Sequence, residues 1–328
     1  MPEQIPPVVK LANDFQSDLA RGDKYLIKLM ARRWAAVGKR LQGEIEKVAR
    51  EIERLQQAGE PVPPWKIYQM GRYQSLMLQL QGELTRYYEK AIPQIEDAAK
   101  KAREQGIEHA RLLSRMAAAQ AGLPVAQVEL AFDRLGVDAA EKIAGLSSWS
   151  KPLGELLSRA YPIGASGITN SLITGAALGW NPRKTAREAA RGGLSSAFNH
   201  ILLVSRDQTI RNYREAKRDS YEKSRLIYGY MRVASKSKRT CMACLALDGT
   251  IYPVNDSMAI HPQDRCAMIP LIQGAPLPKY EKGLDWFQRQ PEAVQRKRMG
   301  PKKWESWQEG DFHLDKLVTI THHPVWGA

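Results

Sequence analysis

Long apolar runs are missing from this 328-residue chain. No stretch approaches the ~20 consecutive apolar residues that a membrane-spanning helix needs. The proline-containing start, Met1 to Lys10, has no apolar signal-peptide core. Both absences point to a soluble chain made and assembled in a cytoplasm, with no membrane partner. Catalytic signatures are missing as well: there is no Gly-x-Ser-x-Gly, no His-Glu-x-x-His and no phosphate-binding Gly-Lys-Ser/Thr. No internal repeat of fixed period occurs, and no enzyme is expected. Cysteine is scarce, with three residues that all fall inside one 26-residue window. At 43% hydrophobic residues the chain is too apolar for disorder, and its length suits about two domains.

What is abundant is positive charge. The net charge is +14, and its distribution is local. Between Asn181 and Thr240 there are 15 Lys/Arg against 5 Asp/Glu, a net +10 within 60 residues. Such an excess suits a nucleic-acid or phosphate contact and equally a solvated helix face. The candidate contacts are Arg206, Arg211, Arg214, Lys217 and Arg218 on a helix, then Lys236, Lys238 and Arg239 beyond it. No aromatic interleaving or known binding motif accompanies them.

Periodicity organises the first half. Met30, Trp34, Val37, Leu41, Ile45, Val48, Ile52 and Leu55 recur every three or four residues, one apolar stripe on a helix that stops at Gly59. A stiff connector at Pro61, Pro63 and Pro64 follows. A second stripe, Tyr73, Leu76, Leu80, Leu84, Tyr87 and Ala91, ends near Pro93, and an Ala-rich third segment runs from Ile95 to Ala121. These predict three antiparallel helices whose stripes form a bundle core rather than a cofactor box. From Val125 to Gly179 small residues multiply, notably around Gly164 and Gly175, as close helix packing requires. Helices are expected from Pro182 toward Gly192 and from about Leu194 to Tyr228. Beyond Val233 the chain is punctuated by Asp248-Gly249, Pro253, Pro262 and Pro270, marks of a small α+β module that ends near Ile272. The expected fold is therefore mainly α: a helical N-terminal domain over 1–180, a module with a Cys/His knot over 181–272, and a short helical, Trp-rich tail over 273–328.

The cysteines carry the sharpest signal. Cys241 and Cys244 form Cys-x2-Cys; sixteen intervening residues separate Cys244 from His261, and four more separate His261 from Cys266. A Cys-x-x-Cys turn lets two thiolates converge on one ion, and a second pair across a short hairpin completes the tetrahedron that zinc prefers. A structural zinc would also compensate for a small core, and Lys236, Lys238 and Arg239 would favour thiolates. The fourth ligand is His261, with Asp264 as the substitute. Competing readings are a disulfide, for example Cys244 with Cys266, or plain buried thiols. A redox Cys-x-x-Cys is disfavoured because no βαβ pattern surrounds it. His109, His200, His313, His322 and His323 lack such neighbours and read as ordinary surface or core residues.

The run Arg239-Thr-Cys-Met-Ala-Cys-Leu-Ala-Leu-Asp-Gly249, followed by His261-Pro-Gln-Asp-Arg-Cys266 and Pro270, resembles the signature of the head morphogenesis family of tailed-phage minor head proteins, which includes the F protein of phage Mu. The helix Ser205-Arg-Asp-Gln-Thr-Ile-Arg-Asn-Tyr-Arg-Glu-Ala216 is similar to one that precedes the family's module. Trp286-Phe-Gln-Arg-Gln-Pro, Gln295, Gly300-Pro and Gly310 are similar to a segment that often follows it. Coverage is about Ile168 to Val318. Ser237 stands where the family often has Asp, Tyr230 where it often has Trp, and Asp264 where it usually has Cys, which leaves Cys241, Cys244, His261 and Cys266 as the strong ligands. The resemblance implies a low-copy component of the virion head, assembled in the host cytoplasm. Its partners would be the portal protein, the major capsid or scaffolding protein, and double-stranded DNA held without sequence preference, with an influence on packaging or ejection. The alternative is a zinc-stapled nucleic-acid-binding protein without a capsid role; an enzyme or toxin would need a further domain with its own catalytic motif.

Overall fold

In the computed structural model, residues 5–133, 153–261 and 263–321 are described. The fold is mainly helical with one small antiparallel sheet and a Cys/His cluster toward the C-terminal end. Among the described residues no helix is long and apolar enough to cross a membrane.

The stripe that begins at Met30 lies on α1, Pro7–Gln57, and buries Met30, Trp34, Val37, Leu41, Ile45, Val48 and Ile52. A short α2, Pro64–Gln69, precedes α3, Gly71–Gln120. The second and third expected helices are one: α3 runs through Pro93 without a break. Proline costs a helix interior about 3 kcal/mol, because it removes one hydrogen bond and crowds the preceding turn. Here Pro93 and Glu89, whose carbonyl loses its partner, are both on the exposed face. Tyr87, Ala91, Ile95 and Ala99 meanwhile keep the buried stripe in register past the proline. Burial on both sides outweighs the local defect.

Contacts divide the chain into two units, and the division departs from the sequential one over 1–180, 181–272 and 273–328. One unit takes Asp23–Asp97 and Trp149–Arg206; the other takes Met1–Gly22, Ala98–Ser148 and Asp207–Ala328. The boundaries fall inside long helices, since α1, α3 and α8 (Ser195–Ser224) each serve both units. A helix of ~50 residues buries different segments in different cores, and composition carries no mark of the change.

In the first unit α1 and α3 run antiparallel, as Arg72 with Glu51 at 3.0 Å, Arg40 with Glu83 at 2.6 Å and Tyr87 Oη to the Met30 carbonyl at 3.1 Å require. The chain continues through α5, Leu153–Ser158, α6, Ala160–Ala177, and α7, Pro182–Ala189; α4, Val125–Asp133, belongs to the other unit. Asn181 caps α7 through Oδ1, which accepts from the Lys184 N–H at 2.8 Å. A π-helical turn, Ala190–Leu194, leads into α8. The small residues do bring backbones together: a Cβ on Gly167 would sit 2.4 Å from the Gly193 Cα.

The second unit holds the sheet, order β2-β1-β3, with β1 Ile227–Val233, β2 Ile251–Pro253 and β3 Ala267–Ile272. Sequence had carried α8 on to Tyr228 and so missed the central strand. The helix ends at Ser224 because Arg225 takes φ +56, a left-handed turn usually marked by glycine. A 5-residue helix α9, Met242–Ala246, lies between β1 and β2. The tail folds as α10 Gly283–Gln288, α11 Glu292–Met299 and α12 Pro301–Gln308. Its cluster of Phe287, Met299 and Leu314 includes Leu245 of α9, so the tail belongs to this unit's core.

Two outcomes are expected. Gly167→Ala should destabilise the first unit by about 1–3 kcal/mol through overpacking, while Gly192→Ala, whose Cβ meets nothing within 4 Å, should not; equal thermal unfolding of the two variants would refute the close-approach account. His109 stacks on Phe15 at 3.7 Å and bonds Tyr213 Oη at 2.9 Å. Burial, helped by the Lys217 charge, lowers its pKa from 6.5 to about 4. The unfolded chain binds that proton first, so stability should fall as pH drops from about 6.5 toward about 4. His109→Phe should flatten that part of a stability–pH curve.

Candidate metal centre

The Cys-x-x-Cys pair is placed by α9. Cys241 is its N-cap, and its sulfur accepts from the Cys244 N–H at 3.3 Å, as a capping oxygen would. Cys244 follows one turn later, so both sulfurs face the same way. His261 arrives from the segment before β3, with Nε2 3.3 Å from Cys241 Sγ and 3.2 Å from Cys244 Sγ. Cys241, Cys244 and His261 offer ligand atoms within 4.8 Å of one another, a cluster that could hold a metal ion. Cys266 is grouped at the same limit with Cys244 and Asp264. Three of the four residues singled out from sequence thus form one group, and Cys266 is linked to it through Cys244, common to both. All three cysteines are free thiols; Cys241 is exposed and the other two are buried. A small cavity lined by Ser237, Thr240, Gln263 and Arg265, among others, opens beside the sulfurs.

Asp264, a member of the second group, has both carboxylate oxygens engaged by other donors. Its Oδ1 accepts from Arg214 Nη2 at 2.9 Å and from the Cys266 N–H at 2.7 Å, and its Oδ2 accepts from Arg232 Nη2 at 2.6 Å. Burial alone would raise its pKa, but the two guanidinium groups and the Cys266 N–H hold it down at about 2. Arg232 also points Nη2 at Cys244 Sγ, 3.4 Å away, which puts a buried cation beside the sulfurs. The hydrogen bond with Cys244, which outweighs burial, together with His261 lowers the Cys241 pKa from 9.0 to about 4. Cys244 is pushed up by its two neighbouring sulfurs and by burial. The exposed Cys241 sulfur is thus the one its surroundings favour as thiolate, and the buried Cys244 sulfur the one they disfavour.

Comparison with family models, curated proteins and solved structures gives no match to this chain.

The basic helix serves the interior. Lys217 is fully buried, and its Nζ donates to the Met268 carbonyl at 2.9 Å and lies 5.3 Å over the Tyr213 ring. Desolvation lowers its pKa to about 7. Arg214 is buried too and donates to the Cys266 carbonyl at 2.6 Å besides Asp264. These two are corrected: neither reaches a surface where a phosphate could lie. The physical reason is the sheet. Arg232 turns both its backbone groups toward β2, through Arg232 N to the Thr250 carbonyl and Gly249 N to the Arg232 carbonyl. Its β3 partner Met268 therefore directs its carbonyl outward, and α8 supplies the donor. Arg211 pairs with Asp207 at 2.6 Å and Arg218 with Asp219 at 2.8 Å; both are half-buried, as is Arg206. Lys236 is half-buried between Asp248 at 3.4 Å and the Tyr280 ring at 4.6 Å. Only Lys238 and Arg239 of the eight are exposed.

Sequence reading missed three contributors. Arg232 gave a signal, a charge inside an apolar strand. Asp248 was read as a turn residue but is buried, its Oδ1 accepting from the Ala234 N–H at 2.7 Å and Tyr280 Oη at 2.9 Å. Arg298 gave none. Of the remaining histidines, His200 Nε2 lies 2.8 Å from the Leu156 carbonyl and His313 is exposed; His322 and His323 lie outside the described residues.

Asp264→Asn should leave Arg214 and Arg232 buried without their counter-charge and cost about 3–5 kcal/mol. Denaturant unfolding followed in the sheet-bearing unit measures it, and a loss under about 1 kcal/mol would show that the carboxylate is not what holds the site.

Proposed function

We propose that Cys241, Cys244, His261 and Cys266 hold one structural zinc ion, and that the chain is a minor head protein of a tailed phage. The observation that carries the metal reading is the convergence of Cys241, Cys244 and His261 from two separate segments, with Cys266 beside Cys244 as the fourth ligand we propose and the Asp264 oxygens engaged by arginines. Thiolate and imidazole ligands select zinc over hard cations, and four protein ligands leave no open position for catalysis. Zinc bound there would tie the Cys241–Cys244 turn to the segment 261–266, a cross-link suited to a module with a three-stranded sheet. No enzymatic role is proposed.

The head reading rests on the resemblance of Arg239–Gly249 and His261–Pro270 to the head morphogenesis signature. Among the positions in that signature, Cys241, Cys244 and His261 lie in one cluster, Cys266 lies beside Cys244, and Asp248 is a buried acceptor for the Ala234 N–H, which supports the reading. A structural component in the virion head would contact the portal protein and the capsid or scaffold. Double-stranded DNA, if touched, would meet Lys238 and Arg239 first, a salt-sensitive contact without base readout. The alternative of a dedicated nucleic-acid-binding protein loses support with the burial of Arg214 and Lys217.

Two measurements test the proposal. The purified full chain should carry about one zinc per chain, lost in Cys241→Ser and Cys266→Ser, with the amides of 241–246 losing protection on chelation; a folded wild-type chain that binds no zinc would overturn the zinc site. Co-expressed with a portal protein from the same genome, the chain should co-purify with portal or procapsid. Free chain alongside complete procapsids would overturn the head assignment.

A further inference from the structure

We infer that the Trp-rich tail and the metal loop are thermodynamically coupled: the ion fixes one side of α9, the docked tail fixes the next, and losing either loosens the other. The inference rests on the zinc reading above and extends it to the tail.

The argument starts from the length of α9. Five residues are too few to stay helical unaided, because nucleation alone is unfavourable. Something must hold the turn from outside. Cys241 and Cys244 share one face by their spacing of three, and Met242 and Leu245 share the adjoining one. Leu245 is fully buried against Phe287, Met299 and Leu314, with Trp286, Trp304 and Trp307 packed around that cluster. Backbone approaches backbone here. A Cβ on Gly283 would lie 2.5 Å from the Leu245 carbonyl oxygen and 2.8 Å from its Cα.

Polar contacts tie the rest of the loop to the same tail. Arg298 Nη1 donates to the Ser237 carbonyl at 3.0 Å and the Thr240 carbonyl at 2.5 Å, the residue directly before Cys241. Its guanidinium lies 5.1 Å over the Trp286 ring, which orients it. Lys236 Nζ donates to the Glu281 carbonyl, and Tyr280 Oη donates to Asp248 at 2.9 Å. The loop from 235 to 248 is thus bolted to 280–298 at both ends and in the middle. Arg298 acts as a positioning residue: its hydrogen bonds set the backbone from which Cys241 projects, and its charge interacts with the Cys241 sulfur.

Coupling of this kind is reciprocal: if zinc favours the docked tail, the docked tail favours zinc by the same factor. Loss of the ion would free the tail and uncover the apolar surface around Leu245 and Phe287.

The test uses the zinc-loaded full chain, with zinc affinity read by competition against a chromogenic chelator. Arg298→Gln and Phe287→Ala should each weaken zinc retention by roughly 10-fold or more, the size typical of lost outer-shell support. Arg298 is only half-buried, so that variant reports even if Phe287→Ala fails to fold. In the wild-type chain, chelation should speed hydrogen exchange in 283–317 while amides of α6 stay protected. Stoichiometric zinc with unchanged affinity in Arg298→Gln, or a tail that stays protected after zinc is removed, would overturn the coupling and leave the zinc site standing. A wild-type chain that binds no zinc would instead overturn the zinc reading.

Discussion

A carboxylate sealed from water must be answered by positive charge, and much of the sheet-bearing unit is arranged around that requirement at Asp264. Leaving one charge of its size unpaired in an apolar interior costs several kcal/mol, more than a fold of ordinary stability can absorb. The answer comes from two elements distant in sequence, Arg214 on α8 and Arg232 on β1. Both guanidinium groups reach further, Arg214 to the Cys266 carbonyl and Arg232 toward Cys244. The charge network therefore fixes the helix, the central strand and the cysteine segments as a single unit.

This arrangement changes what a basic segment means. Fifteen Lys/Arg in 60 residues read naturally as an outward-facing patch. Yet Lys217, Arg214 and Arg232 are among the most deeply buried polar side chains of the fold, and each closes a backbone or carboxylate acceptor. Composition counts charges without regard to the direction they face. A helix that packs against the outer strand of a sheet needs donors on its buried side, and long cationic side chains can supply them across the gap.

Legibility in sequence followed the length scale of the interaction. The stripe of α1 was readable because its period is local, and the cysteine spacing was readable because ligand geometry limits it. The continuity of α3 through Pro93 was not, since it depends on burial of Ile95 and Ala99 that only the packed structure shows. Strand β1 was hidden for a similar reason: Arg225 ends the helix without the usual glycine. Asp248 could be seen as part of a turn but not as the acceptor for Tyr280, 32 residues on. Arg298, in a polar run of ordinary appearance, carries no local trace of its role.

Strand β3 lies at the rim of its sheet, where exposed backbone groups ordinarily invite a foreign strand. Its rim is shut. The outward carbonyl of Met268 is already engaged by Lys217, and Pro270, two residues on, has no amide hydrogen to offer an incoming chain. At this edge an incoming strand would find neither a free acceptor at Met268 nor a donor at Pro270, so the helix that buries its lysine also guards the sheet against being extended from β3.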